Sequence, residues 1–137
     1  MFGRIDHIGV AVEDLDASIE LYEQSFGMEL GLRETVEQQG VEAALLNVGD
    51  GHVELMAATG PDTPVGKFLA KRGAGLHHVA YAVDDIDSVL GQLAASGIEL
   101  IDAVARAGIG GSRVAFLQPR STERVLTEIV EPPKGGH

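Results

Sequence analysis

Two stretches of this chain are near copies of one another, and that duplication restricts the fold more than any other feature. Ile5 to Asp16 reads IDHIGVAVEDLD, and Leu76 to Asp87 reads LHHVAYAVDDID. His7 falls on His78, Val12 on Val83, Asp14 on Asp85 and Asp16 on Asp87, each displaced by the same 71 residues. A long displacement used only once describes a duplicated unit, since solenoid repeats are shorter and more numerous. The 137 residues therefore read as a single domain of two related halves. Unit one covers about 3–58, a linker about 59–75 and unit two about 76–131.

Each half follows the same pattern. Ile8, Val10 and Val12 alternate with His7, Gly9 and Ala11, the period of a strand with one bulky and one small face. Glu13-Asp14-Leu15-Asp16 opens a helix with Asp14 or Asp16 as N-cap. Its stripe runs Leu15, Ile19, Tyr22, Phe26 and stops at Gly27. Strands are predicted over 28–34, 41–48 and 52–57, punctuated by Gly40 and Gly49-Asp50-Gly51. Pro61 and Pro64 interrupt the linker, and a short helix covers 65–71. The order then repeats with a strand over 76–83 and a helix from Asp87 to near Gly97 along Ile86, Val89, Leu90 and Leu93. Strands over 98–103, 113–117 and 125–131 complete it, and Pro132-Pro133 with Gly135-Gly136 form a frayed tail. The expected class is α+β: two tandem βαβββ units forming a curved, cup-like mixed sheet with helices outside.

The chemistry sits on the duplicated histidine and on the last strand of each unit. His52-Val53-Glu54-Leu55-Met56 and Val125-Leu126-Thr127-Glu128-Ile129 each place one carboxylate in an apolar strand. Such a charge is costly unless it is paired or holds a metal. If the first and last strands of each unit are neighbours, His7 meets Glu54 and His78 meets Glu128. Two imidazoles and two carboxylates suit one divalent ion such as Co, Ni, Zn or Mn, with two coordination positions left for substrate oxygens. Taken singly, His7 reads more readily as structural and Glu54 as an edge-strand gatekeeper; their matched recurrence favours the ligand reading. Alternation sends His77 to the face opposite His78.

Other features narrow the function by exclusion. Cysteine is absent, which removes disulfides and thiolate sites. A net charge of −11 argues against nucleic acid, which requires a basic face. No charged leader or membrane-length apolar run is visible, so a soluble cytoplasmic protein is expected. Gly108-Ile109-Gly110-Gly111 lacks the strand-to-helix context of a nucleotide fingerprint.

IDHIGVAVEDLDASIELY, PVGKFLAKRGAGLHHVAYAVDDID and GGSRVAFLQPRSTERVLTEIVE together resemble the methylmalonyl-CoA epimerases of the vicinal-oxygen-chelate (glyoxalase/bleomycin resistance/dioxygenase) superfamily. The resemblance covers nearly the whole chain, and its GKFLAKRGAGLHH stretch is the part most particular to the epimerases. It implies metal ligands at His7, Glu54, His78 and Glu128, the four that the duplication singles out. It also implies interconversion of (2R)- and (2S)-methylmalonyl-CoA through a metal-stabilised enolate, with Glu128 as one base, and a homodimer. Gly111 and Ser112 are candidates for the substrate carboxylate; Lys67, Lys71 and Arg72, with Arg106 and Arg113, are candidates for the CoA phosphates. Family members carry a second acid where this chain has Ala43, with Glu42 one residue away. That leaves the second proton carrier as Glu54, Glu42 after a register shift, or an ordered water. Gln118 stands where similar sequences have His.

Three rivals share the fold. A glyoxalase I-like lactoylglutathione lyase would use a similar ligand set, but Gln118-Pro119-Arg120-Ser121 lacks its DPDG-like turn. An iron dioxygenase needs three ligands rather than four. A metal-free small-ligand-binding protein needs none of them.

Overall fold

The computed structural model describes residues 1–134; the tail expected at Gly135-Gly136 lies outside them. By packing, the chain divides into two compact units, one of His7–His77 and one of Met1–Asp6 with the residues from His78 onwards. Each has the βαβββ order and combines parallel with antiparallel strand pairs, so the α+β reading holds.

In the unit His7–His77 the elements are β1 (Arg4–Ala11, entering from Arg4), α1 (Leu15–Glu20), β2 (Glu29–Val36), β3 (Val41–Val48), β4 (Gly51–Ala58) and α2 (Pro64–Arg72). The strand order is β2-β3-β4-β1, with β1 parallel to β4 and the other pairs antiparallel. Asp14 is the N-cap of α1, its carboxylate accepting from the Ala17 N–H at 3.0 Å. Leu15 and Ile19 are buried with Val12, Ala44, Leu46, Val53 and Leu55, and Val10 packs against them. The helix is shorter than its stripe: beyond Glu20 it opens into a π turn over Leu21–Ser25. Tyr22 still reaches the core, but Phe26 is exposed, as is Ile8 at the other end of the bulky face. Gly27 ends the turn in the left-handed region, at φ 68°. Pro64 does not break structure; it is the first residue of α2, where its missing N–H is harmless, and Thr63 caps the helix through Gly66 N–H at 3.0 Å.

The second unit contributes β5 (Gly75–Ala82), α3 (Ile86–Ala95), β6 (Arg106–Ala107), β7 (Arg113–Leu117) and β8 (Thr127–Glu131), ordered β5-β8-β7-β6 with β5 parallel to β8. Asp85 caps α3 through the Ser88 N–H. Val83, Ile86, Val89, Leu90, Ala115 and Ile129 form the core beneath α3, and Ala80, Val114 and Val130 form a cluster on the opposite face. The strand expected over 98–103 is not formed. Only Leu100 bridges to Leu117, and the Asp102 carboxylate accepts from the Phe116 N–H at 2.9 Å. A side chain there does what a neighbouring strand's carbonyl would do, so the ladder stops and a short strand resumes at Arg106. No helix of the described residues is long and apolar enough to cross a membrane.

Arg113 holds α3 to the sheet through a bidentate bridge to Asp87, at 2.9 and 3.0 Å. The hydrogen bonds from that guanidinium hold the Asp87 carboxyl below its ordinary value of 3.8. A lowered folded-state value means that the stabilisation is present above the unfolded value and is lost as pH falls through the folded one. Asp87→Asn should therefore lower the urea midpoint at neutral pH, and the gap to wild type should close as the titration is repeated below the ordinary 3.8. Leu55, fully buried, should be more consequential at every pH: Leu55→Ala is expected to lose about 2–5 kcal/mol in the same measurement.

Candidate metal centre

β1 and β4 pair in parallel with Gly9 opposite Glu54 and His7 opposite His52. Alternation then puts His7, Gly9, Ala11, His52, Glu54 and Met56 on one face, away from α1. His7 Nε2 lies 3.3 Å from Glu54 Oε1, and the two side chains are only 5 % and 8 % exposed. The second unit repeats this geometry. β5 and β8 pair in parallel with Ala80 opposite Glu128, and His78 Nε2 lies 3.2 Å from Glu128 Oε1 with side chains 2 % and 4 % exposed. The small residues between the pairs explain why both fit: Gly9 and Ala80 stand directly across from the two glutamates and leave room for their carboxylates.

Within each pair one imidazole nitrogen and one carboxylate oxygen point at the same place, with a separation near the long end for an N–H···O bond. Cis ligands about 2.1 Å from an octahedral ion stand about 3 Å apart, so each pair has the spacing of two adjacent ligands. The four buried residues His7, Glu54, His78 and Glu128 could hold a metal ion. Two imidazoles with two carboxylates match the charge and the borderline softness of a divalent first-row cation.

The neighbours of the pairs are less uniform. β3 runs beside β4 with Ala43 opposite Met56 and Leu45 opposite Glu54, so Ala43 lies on the face of the His7–Glu54 pair and presents only a methyl group there. Glu42, opposite Ala57, lies on the other face. The β3–β4 ladder is continuous from Val41 to Val48, and Glu42 accepts from Arg33 Nε at 2.9 Å. Arg33 also donates to Asp16, and its hydrogen bonds to Glu42 and Asp16 hold its guanidinium above the ordinary value. The register shift that would bring Glu42 into the site does not occur.

Gly111 and Ser112 follow a tight turn over Ile109–Gly111 in which Gly110 and Gly111 have φ of 68° and 81°. A Cβ on Gly108 would stand 2.5 Å from Ser112 Oγ, so the turn closes only on glycine. The Ser112 hydroxyl and N–H both donate to the Ile109 carbonyl; Ser112 meets a substrate oxygen only by giving up one of these bonds. Lys67, Lys71 and Arg72 are exposed on α2, and Arg72 lies 5.7 Å over the ring of Phe68. Phe68 in turn meets His77 edge to face, which accounts for His77 as a packing residue. Arg113 is not available to a phosphate, being committed to Asp87 on the helix face.

Two residues on these faces escaped the sequence reading. His52 is buried two positions before Glu54, and period-two spacing alone would have placed it there. Phe116, opposite Glu128 on β7, meets His78 edge to face with ring centroids 5.4 Å apart.

Comparison with known proteins bears on what such faces do. Residues 6–116 match the model of the Glyoxalase/Bleomycin resistance protein/Dioxygenase superfamily. The chain is 38% identical over 134 residues to the uncharacterized protein YqjC of Bacillus subtilis, covering 98% of this chain and 96% of that protein. It is similar in structure to methylmalonyl-CoA epimerase of Mycobacterium tuberculosis, with TM-score 0.93, 39% identity and coverage of 97% and 91% of the two chains. It is similarly close to a Streptomyces coelicolor methylmalonyl-CoA epimerase in complex with 2-nitronate-propionyl-CoA, with TM-score 0.91, 39% identity and coverage of 96% and 95%.

Metal binding has a direct expected outcome. Titration of the metal-stripped chain with Co, Ni, Zn or Mn should raise its thermal midpoint, by about 2.7 kcal/mol of added stability at a hundredfold excess over Kd. His78→Ala should lose most of that shift and of the metal retained on desalting, measured by elemental analysis.

Proposed function

Because the chain belongs to the Glyoxalase/Bleomycin resistance protein/Dioxygenase superfamily, we propose that it is a metal-dependent methylmalonyl-CoA epimerase interconverting the (2R) and (2S) thioesters. The observation that carries this reading is the pair of buried imidazole–carboxylate contacts, His7–Glu54 and His78–Glu128, in a chain 39% identical to methylmalonyl-CoA epimerases along nearly its whole length. In this reading the two pairs are ligands of one divalent ion. The ion supplies Lewis acidity that favours negative charge on the thioester oxygen.

The chain's own part is to take and return a proton. The substrate carbon lies between a thioester and a carboxylate, and a carboxylate base placed beside it needs little reach. Glu128 is that base in this proposal. It is buried on the face that carries Ala80, Val114 and Val130, which keeps bulk water away from the carboxylate. The proton must return on the opposite face of the planar enolate. With Glu42 withdrawn to Arg33 and a methyl group at Ala43, Glu54 and an ordered water remain as the second carrier. Gly111 and Ser112 attend the substrate carboxylate, and Lys67, Lys71 and Arg72 the CoA phosphates. The homodimer rests on the family resemblance, and the cytoplasmic setting on the expectation drawn from the sequence.

The test is exchange of the α-hydrogen in deuterated water, followed for each stereoisomer on metal-loaded protein. Glu128→Gln should slow exchange of both isomers by about 10²–10⁴-fold while leaving the fold intact by circular dichroism. Formation of lactoylglutathione without any exchange would select the glyoxalase alternative instead. Replacing Lys67 and Lys71 together by alanine should raise KM several-fold with kcat preserved, as expected for groups that bind a remote part of the substrate equally in ground and transition states.

A further inference from the structure

The unit that begins at His78 carries an arginine that the reading above does not use. The registers Ala80↔Glu128, Phe116↔Glu128, Val114↔Val130 and Arg106↔Val114 place His78, Glu128, Val114, Phe116 and Arg106 on one face of this unit. Among the described residues β5 to β8 hold two cations, Arg106 and Arg113, and Arg113 points the other way, to Asp87 on α3; Arg4, at the start of β1, is paired with Asp6. Of the described residues on β5 to β8, Arg106 is therefore the cation on the face of the His78–Glu128 pair.

Its surroundings are not those of a solvated surface charge. The guanidinium carbon lies 5.9 Å from the centre of the Phe116 ring, and that ring meets the His78 imidazole at 85° with centroids 5.4 Å apart. One aromatic ring thus stands between the guanidinium and the imidazole of the pair. Nε is buried and makes no hydrogen bond. The nearby Asp102 is a weak counterion: its Oδ1 is 3.5 Å from Nε, too long for a good hydrogen bond, and its Oδ2 is committed to the Phe116 N–H. A cation–π contact does not consume the N–H donors of a guanidinium, which stay able to meet a planar oxyanion.

We infer that Arg106 is the anchor for an oxyanion of the substrate beside the His78–Glu128 pair, an inference that rests on the proposed acyl-CoA reading. An anionic substrate approaching Glu128 meets a like charge, which a cation on the same face offsets. The substrate has two kinds of oxyanion, the carboxylate on the acyl group and the phosphates of the nucleotide end. The carboxylate is favoured because it is bonded to the carbon that loses its proton, next to the pair.

Calorimetric titration of metal-loaded wild type, Arg106→Gln and Arg106→Lys tests this with three ligands. They are methylmalonyl-CoA, its neutral carbamoyl analogue, and the methylmalonyl thioester of pantetheine, which lacks the nucleotide phosphates. Arg106→Gln should weaken methylmalonyl-CoA by about 10–100-fold, the range of a charge-assisted hydrogen bond, and leave the carbamoyl analogue unchanged. Arg106→Lys should restore part of the loss. If the pantetheine thioester is weakened as much as methylmalonyl-CoA, the carboxylate is the anchored group; if only the two CoA ligands are weakened, the phosphates are. Unchanged affinity for all three ligands, or equal weakening of all three, overturns the anchor. Exchange of the α-hydrogen, read on the same samples, separates the two ideas. Wild type that binds with the Arg106 pattern but never exchanges leaves the anchor standing without the epimerase; wild type that exchanges with no Arg106 effect leaves the epimerase without the anchor.

Discussion

Glu54 and Glu128 are each buried in the middle of an apolar strand, and much of this structure is arranged around that fact. A carboxylate removed from water is tolerated only with a partner that restores part of its solvation. Each has an imidazole nitrogen within 3.3 Å, contributed by the strand that runs parallel beside it. Removing one partner would take away part of what replaces water for the other, so histidine and glutamate constrain one another within each pair. The same arrangement that makes the pairs costly to bury makes them good metal donors.

The fold supplies the means. Parallel pairing of the first and last strands of a βαβββ unit puts residues of distant sequence number side by side on one face, as with Gly9 beside Glu54 and Ala80 beside Glu128. The helices cover the other face, where Val10, Val53 and Leu55 in one unit and Ala115 and Ile129 in the other are packed. Every strand through the site is therefore amphipathic in an unusual sense, with a hydrocarbon side and a side carrying small residues and ligands. Gly9, Ala11, Ala80 and Ala82 are small because a larger side chain would compete for that space.

Most of this was legible from the duplication. Two copies with matched histidines and matched strand glutamates point to the same four residues as the family resemblance, and alternation assigns their faces. What the sequence hid depends on side chains acting for backbone. The strand expected over 98–103 fails because the Asp102 carboxylate takes the Phe116 N–H, a contact that apolar periodicity cannot register. Arg113 and Glu42, both plausible near a site by sequence, are committed to Asp87 and Arg33 on the helix faces. Each is one residue out of phase with the site face, and alternation would have excluded Arg113 as it warned against Glu42. Pro64 reads as a breaker in isolation, whereas after Thr63 it is the natural first residue of a capped helix.

The two copies have diverged in what surrounds an identical pair of ligands. Around His7 and Glu54 the face carries Ala11, Ala43, Leu45 and Met56, all buried and apolar, and the further buried imidazole of His52. Around His78 and Glu128 it carries Phe116 and, with its guanidinium carbon 5.9 Å from the centre of that ring, Arg106. The donors of the two pairs are therefore near-equivalent, while the faces that carry them are not. Duplication thus accounts for the matched donors, and divergence of the neighbouring residues for the difference between the two faces. Ala43 belongs to the same divergence: it puts a methyl group on the face of the His7–Glu54 pair, where the other unit has an aromatic ring and a guanidinium on the face of His78–Glu128.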